Sequence, residues 1–267
     1  FAYMDVFMQY FIMREAKKQG CTVMLDGQGG DETLLGYGKY YPSVYYSILK
    51  KDGIISAIKS VLNSRKNNAK MKLSWIVKYT VGSFFSSLRK LYLKYNTNFL
   101  FRYHNNFKIL DKISESYFDV KKLQILEIYS TNLPLLLRYE DKNSMRHSVE
   151  TRLPFIDFKT LETALSINIK YKIKNGWSKF ILRKAITGML PNKAIWRKNK
   201  LGFNPPERSW FNEISDQLPE ELKNSNILNE ICDMKKLSKK LKRMDNNLKW
   251  RLYNIAIWEK KFNVKCD

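Results

Sequence analysis

Apolar residues recur at helical spacing along most of this chain and at strand spacing in one short place. Phe7, Tyr10 and Phe11, continued by residues 14–16, keep a helical rhythm that stops at Gly20, a residue type suited to ending a helix. CTVML, residues 21–25, is a short β-rich apolar run and is predicted to be a buried strand of the parallel type. The chain then crosses DGQGGDE, residues 26–32, and enters an aromatic-rich helical stretch. Helix, strand, glycine turn and helix make part of an α/β unit. Ligands in such folds bind at the carboxyl ends of strands, where this turn sits.

The remaining pattern is helical with clear punctuation. SRKNNAKMK, residues 64–72, reads as an exposed loop, and residues 72–95 read as helix. Residues 121–145 are predicted helical with a break before Pro134. Asp157 is placed to cap a helix whose apolar face is Leu161, Ala164 and Leu165. Ser178 is placed to cap residues 179–190, with Leu182, Ala185, Ile186 and Met189 as the face and Pro191 as the stop. WRKNKLGFNPP is a glycine- and proline-marked loop, and residues 247–262 form a closing helix. No internal repeat is evident.

Charge changes this picture in one respect. The 267 residues carry a formal net charge of +23, and residues 53–110 contain no acid at all. An anionic partner is one reading. A solvated, lysine-rich surface is preferred, because no helix-turn-helix, zinc-finger or RNA-binding signature accompanies the charge. No specific nucleic-acid partner is expected. Hydrophobic content of 44% argues for an ordered globular chain, and no apolar run is long enough for a membrane span. The first twenty residues carry Asp5, Arg14 and Glu15 inside the apolar pattern, which excludes a signal peptide, and Phe1 in place of Met suggests a segment of a longer protein. Cys21, Cys232 and Cys266 are few and scattered, as expected of buried or inert thiols in a reducing compartment, the cytoplasm. Only His104 and His147 are present, so a transition-metal site is not expected.

The acids of the turn raise a chemical question. Gly27, Gly29 and Gly30 would let the backbone approach a ligand and offer N–H groups to phosphate. Asp31 and Glu32 would repel a bare phosphate unless magnesium, which takes hard oxygen ligands and shares them with phosphates, lies between. Asp31 is the candidate ligand, and Glu32 suits the start of the next helix. Lys179, read as first-turn residue of its helix, opposes the helix dipole unless an anion docks there. Lys200 adds a second cation on a flexible stem. Glu150 and Arg152 in SVETRLPFID could form a buried brace or a substrate clamp, the former preferred.

LDGQGGDE followed by GY, then YEDKNSMRHSVETRLPFID, KFILRKAITGMLP and WRKNKLGF, occur here in the order found in the synthetase domain of glutamine-dependent asparagine synthetases, which this chain resembles over nearly its whole length. The resemblance implies an α/β fold: the C-terminal part of a Rossmann-like ATP-pyrophosphatase domain, predominantly helical here. It divides the chain into the strand and nucleotide turn (1–52), a basic helical insertion (53–110) and a helical region with two active-site lysines (111–267). It implies ATP and Mg²⁺ as cofactors, and a carboxylate, aspartate by default, adenylated with release of pyrophosphate and then attacked by ammonia derived from glutamine. Asp26 and Gly27 match the nucleotide-contacting pair, with Gly29 and Gly30 beside them. Asp31 matches a magnesium ligand, and Lys179 and Lys200 match lysines that hold the pyrophosphate.

Two departures stand out. Gln28 replaces a glutamate that assists intermediate formation in some members, and Gln cannot accept a proton. The family's Ser-Gly-Gly-x-Asp-Ser pyrophosphate loop and its N-terminal glutaminase domain are absent from these residues, so the chain alone is expected to bind Mg-ATP weakly and form no amide. A homodimer is compatible with the resemblance. The alternatives are a relative that uses an internal amine, as in β-lactam synthetases and peptide-cyclising enzymes, or a basic binding module without catalysis.

Overall fold

Two parallel strands, β1 (Val23–Leu25) and β2 (Glu150–Arg152), set the frame, pairing Val23 with Glu150, Met24 with Thr151 and Leu25 with Arg152. A computed structural model describes residues 4–68, 71–96, 108–198 and 205–264. Around the strands run α1 (Met4–Lys18), α2 (Gly30–Thr33), α3 (Tyr41–Asn67), α4 (Leu73–Phe84), α5 (Ser86–Asn96), α6 (Lys108–Ser116), α7 (Val120–Tyr129) and α8 (Asn132–Met145). After β2 come α9 (Phe158–Ser166), α10 (Ile169–Lys172), α11 (Phe180–Ala185), α12 (Asn192–Ile195) and α13 (Glu207–Ile214). The chain closes with α14 (Leu218–Asn224), α15 (Asn226–Ile231), α16 (Met234–Leu241) and α17 (Asn246–Phe262). The architecture is therefore mainly helical with one small parallel sheet.

Several elements begin and end where side-chain chemistry dictates. Asp157 accepts hydrogen bonds from the N–H groups of Lys159 and Thr160 and so caps α9. The break at residues 130–131 separates α7 from α8 and leaves Pro134 in the first turn of α8, where its missing N–H costs nothing. In α3 the helix is interrupted by Gly53, whose φ of 81° and ψ of 178° lie outside helical geometry.

Two cores organise the packing. One gathers Leu35, Tyr40, Tyr41 and Val44 with Met71, Ile76, Tyr117, Val120 and Leu123. The other is built by the last four helices, from Leu218, Leu222, Leu228, Cys232, Leu237, Leu252 and Ala256. Phe7 of α1 reaches Trp210 and Trp250 with ring centroids 5.8 and 6.2 Å apart, tying the first helix to the C-terminal helices.

Three sequence expectations are corrected, and the two described thiols differ in setting. The strand at residues 23–25 is parallel but not buried: Val23 and Leu25 share one face by the two-residue period, and Leu25 is 74% exposed, because the described residues place no layer over that face. Residues 64–67 are the last turn of α3 rather than a loop, and Ser64 is buried, its hydroxyl donating to the Ser60 carbonyl at 2.8 Å. The described residues of the basic stretch are mainly helical and mostly exposed, yet Met71 and Ile76 enter the first core, so they are not surface throughout. Cys21 is an exposed thiol, whereas Cys232 is buried.

Candidate active site

The turn after β1 is built by a short helix that starts on a glycine. Gly29 caps α2 in the left-handed region (φ 83°), and its carbonyl accepts from the Thr33 N–H and hydroxyl at 2.9 and 2.8 Å. A Cβ on Gly29 would fall 2.2 Å from Ile156 Cγ2, and one on Gly30 would fall 3.2 Å from the Phe155 ring. These two glycines admit the turn that follows β2, so their small size serves packing of the protein on itself. Gly27 has open space where its Cβ would be.

Beyond α2, Leu35 adopts a left-handed φ of 55°, unusual and costly for a bulky residue. Its side chain is fully buried in the first core, which holds it there. The turn brings the Gly36 N–H to the Asp31 carbonyl at 2.7 Å. Gly36 lies directly beneath the Asp31 carboxylate, and a Cβ there would sit 1.9 Å from Asp31 Oδ1 and 2.4 Å from Lys179 Cε. Gly36 thus clears the space in which Lys179 Nζ meets Asp31 Oδ1 at 3.0 Å. Residues 148 positions apart in sequence, from different motifs, are in contact and only partly exposed.

Lys179 reaches this place in a different way from the one its sequence suggests. Helix α11 begins at Phe180; Lys179 is its N-cap residue, left-handed at φ 51°, and Ser178 makes no cap. The helix is also shorter than expected, ending at Ala185, and Met189 is exposed. The later start has its cause just upstream. Asn175 and Gly176 both have positive φ (50° and 79°), and Lys174 and Trp177 exchange backbone hydrogen bonds at 3.1 and 2.9 Å. That is the two-residue hairpin turn favoured by Asn-Gly. Arg183 then fixes the corner, its Nε donating to the Ser178 carbonyl at 2.9 Å and its Nη1 to the Ile195 carbonyl. Lys200 lies outside the described residues.

Glu32 turns inward. It is fully buried and accepts hydrogen bonds from the Tyr37 hydroxyl at 3.0 Å and from the Asn132 amide. It belongs to α2 as expected, but it is committed to the interior and is no metal ligand. Burial, helped by Glu32 and Asp31, pushes the Tyr37 hydroxyl far above the usual phenol range, so it stays protonated and donates.

Glu140 is the residue sequence reading missed. It sits on α8, 1% exposed, and neither carboxylate oxygen has a hydrogen-bond partner of good geometry. Its polar neighbours are Asp26, Thr151 and Gln28, and burial, followed by the charge of Asp26, raises its carboxyl to about 8. Thr151 faces this group from β2. Its neighbours Glu150 and Arg152 point to the other face, where they form an exposed pair at 2.8 Å. The buried brace expected of that pair is therefore not formed.

No group of three or more His, Cys, Asp and Glu residues able to hold a metal occurs among the described residues. The donors suit an ion held mainly by phosphate oxygens with Asp31 as a protein ligand, which is how Mg²⁺ is commonly bound, and do not suit an all-protein cage. Among the described residues no helix is long and apolar enough to cross a membrane.

Comparison with known proteins bears on this arrangement. The family model for asparagine synthase matches residues 1–260. Asparagine synthetase [glutamine-hydrolyzing] 1 of Bacillus subtilis is 33% identical over 222 residues, covering 78% of this chain and 34% of that protein. The corresponding enzyme of Gallus gallus is 28% identical over 88 residues, 31% of this chain and 16% of that protein. The chain thus spans about a third of the length of the Bacillus relative. No solved structure matches. With the aspartate of the glycine turn and the distant lysine brought together inside a match that runs almost end to end, the chain belongs to the asparagine synthase family.

Proposed function

We propose that this chain is the C-terminal part of an ATP-dependent, amide-forming synthetase whose default substrate is aspartate and whose nitrogen comes from ammonia released from glutamine. The contact of Asp31 with Lys179 above Gly36, at the carboxyl end of β1, carries the reading. It presents one anion and one cation side by side, a carboxylate suited to magnesium and an ammonium suited to phosphate.

The residues divide the work as follows. A substrate carboxylate oxygen attacks the α-phosphorus of ATP; the bond to the β-phosphate oxygen breaks and pyrophosphate leaves. Asp26 and Gly27 contact the nucleotide, and Lys179, with Lys200, holds the negative charge that develops as pyrophosphate departs. Asp31 would hold Mg²⁺, which would supply charge neutralisation. Ammonia nitrogen then attacks the acyl carbon, the bond to AMP breaks, and the nitrogen sheds a proton. Gln28 cannot accept that proton. Glu140, buried beside Gln28 with its carboxyl raised to about 8, is the group assigned to take it, since a base is most effective when its pKa lies near the working pH. A Rossmann-like sheet completed by further strands, and a glutaminase domain as the ammonia source, are parts of the same proposal.

The deciding experiment is Lys179→Ala in the full-length protein. ATP-dependent pyrophosphate release should fall by about 10²–10³, the usual cost of one transition-state contact, with glutamine hydrolysis retained. Unchanged pyrophosphate release would remove Lys179 from the mechanism and the reading with it.

A further inference from the structure

Beside α7 lies a cavity of about 920 Å³ between α3 and residues 165–176. Six lysines line it, Lys51, Lys59, Lys121, Lys170, Lys172 and Lys174, against one acid, Asp52. None of the six forms an ion pair among the described residues. Lys170 and Lys174 lie over the Tyr171 ring instead, at 5.1 and 5.9 Å.

Lys172 is the anomaly. It ends α10, is 1% exposed and has no carboxylate partner; its ammonium donates to the Gln124 carbonyl oxygen at 2.9 Å. An ammonium taken out of water without a counter-ion is costly, and proteins seldom leave one so. Burial, followed by repulsion from Lys121, lowers it to about 8. The cavity wall around it is closely built. Gly176 packs against α3 so tightly that a Cβ would lie 2.3 Å from the Asn63 carbonyl, and the Gly176 carbonyl accepts from the Tyr41 hydroxyl at 2.8 Å and the Asn68 amide at 2.7 Å.

Gln124 connects this cavity to the other site. The same amide that receives Lys172 donates from Nε2 to the carbonyls of Glu32 and Thr33, at 2.9 and 2.6 Å. Those carbonyls belong to α2, the helix that carries Asp31.

We propose that this cavity is a second ligand site, taking a small polyanion with at least two phosphate groups, and that Lys172 is its buried anchor. Six point-charge donors around a cavity at the upper end of ligand-pocket size suit several phosphate oxygens, and the ligand supplies the counter-ion that Lys172 lacks. Through Gln124 its binding is communicated to the backbone of α2. This inference stands apart from the amide-synthetase reading, since it uses neither Asp31 nor Lys179.

Calorimetric titration with inorganic pyrophosphate in magnesium-free buffer tests it, on wild type, Lys172→Gln, the rim double variant Lys59→Gln with Lys121→Gln, and Lys179→Ala as the control for the nucleotide turn. Lys172→Gln and the rim variant should each weaken binding by roughly tenfold or more, the loss expected when a charge-assisted contact goes, while Lys179→Ala retains the cavity isotherm. The Gln124 side-chain amide resonance should move on titration of wild type. The rim variant changes exposed residues, so it decides the matter even if Lys172→Gln fails to fold. Wild-type affinity in the pocket variants, loss confined to Lys179→Ala, or binding of long heparin chains without binding of pyrophosphate would each overturn the proposal.

Discussion

Glu140 on α8 and Glu259 on α17 are both buried, and their surroundings are opposite. Glu259 accepts from the Ser225 hydroxyl and from the N–H groups of Asn226 and Ile227, at 2.8 and 3.2 Å for the latter two, and so caps α15 from another helix. Burial alone would push its carboxyl up; the three donors outweigh it and hold it below the usual range. Glu140 has Asp26 for a neighbour and no well-formed hydrogen bond, and its carboxyl rises to about 8. The C-terminal helices satisfy Glu259 through both its oxygens, whereas near the end of the sheet Glu140 has neither oxygen satisfied. Unresolved charge of that kind marks a site that works on a ligand, and satisfied charge marks a brace.

The largest effect expected of this contrast is on stability. Glu259→Ala strands three donors, two of them at a helix start, and should cost about 3–4 kcal/mol, read as a shift of the urea midpoint. Glu140→Gln should behave in the opposite sense, stabilising the protein by about 1–3 kcal/mol at pH 9 while reducing amide formation. A loss of stability in both variants would erase the distinction between brace and site.

The pH dependence separates the two residues further. The folded carboxyl of Glu140 lies near 8, above its ordinary 4.5, so between those values the folded state holds the extra proton. Its contribution to stability is therefore full below about pH 4.5 and is lost as pH rises through 8. Glu259 is shifted down, so its contribution is present above its ordinary value and is lost as pH falls through the lowered one. Stability measured from pH 4 to 9 should show a decline between about 4.5 and 8 that Glu140→Gln removes and Glu259→Gln leaves intact. An identical decline in Glu140→Gln would assign it elsewhere, Lys172 excluded, because a lysine lowered to about 8 makes stability rise with pH above that value.

Smaller, and local to the site, is the effect of Gly36→Ala. The new methyl would stand where the Asp31 carboxylate and the Lys179 stem already are. A cost of about 1–2 kcal/mol is expected from displaced side chains, together with weaker Mg-ATP binding by calorimetry. Intact binding would mean that the contact of Asp31 with Lys179 is incidental to the nucleotide.

What was legible in the sequence was local. The cap at Asp157, the break before Pro134 and the closing helix follow from residue types a few positions apart, and the structure has all three. The Asn-Gly pair at 175–176 is a local hairpin signal that sets the start of α11, and it is masked in the sequence by the helical rhythm beyond Ser178. The role of Gly36 and the left-handed Leu35 could not be read, because both depend on Lys179 arriving from another part of the chain. Glu140 was hidden for the same reason. Its motif reads as an ordinary charged helix, and only the convergence of β1, β2 and α8 removes it from water. In the sequence Gly29 and Gly30 suggest room for a ligand, whereas their near contacts are with Ile156 and Phe155, which arrive from the far end of the motif after β2.

The smallest effect is expected where carboxylate and cation are both in water. Glu150 and Arg152 are two residues apart on β2, more than half exposed, and joined at 2.8 Å. An exposed pair gains little, since water already solvates both ions, and it loses side-chain freedom by holding one geometry. Arg152→Ala should therefore change stability by about 0.5 kcal/mol or less, and added salt should shrink even that. Beside the two buried glutamates, this pair supplies the reference for a mostly exposed carboxylate. A double-mutant cycle with Glu150→Gln gives the coupling directly. Coupling above about 1 kcal/mol that survives high salt would show that the face carrying Glu150, Arg152 and the exposed Leu25 is covered when the protein is at work, and would move the pair from surface to site.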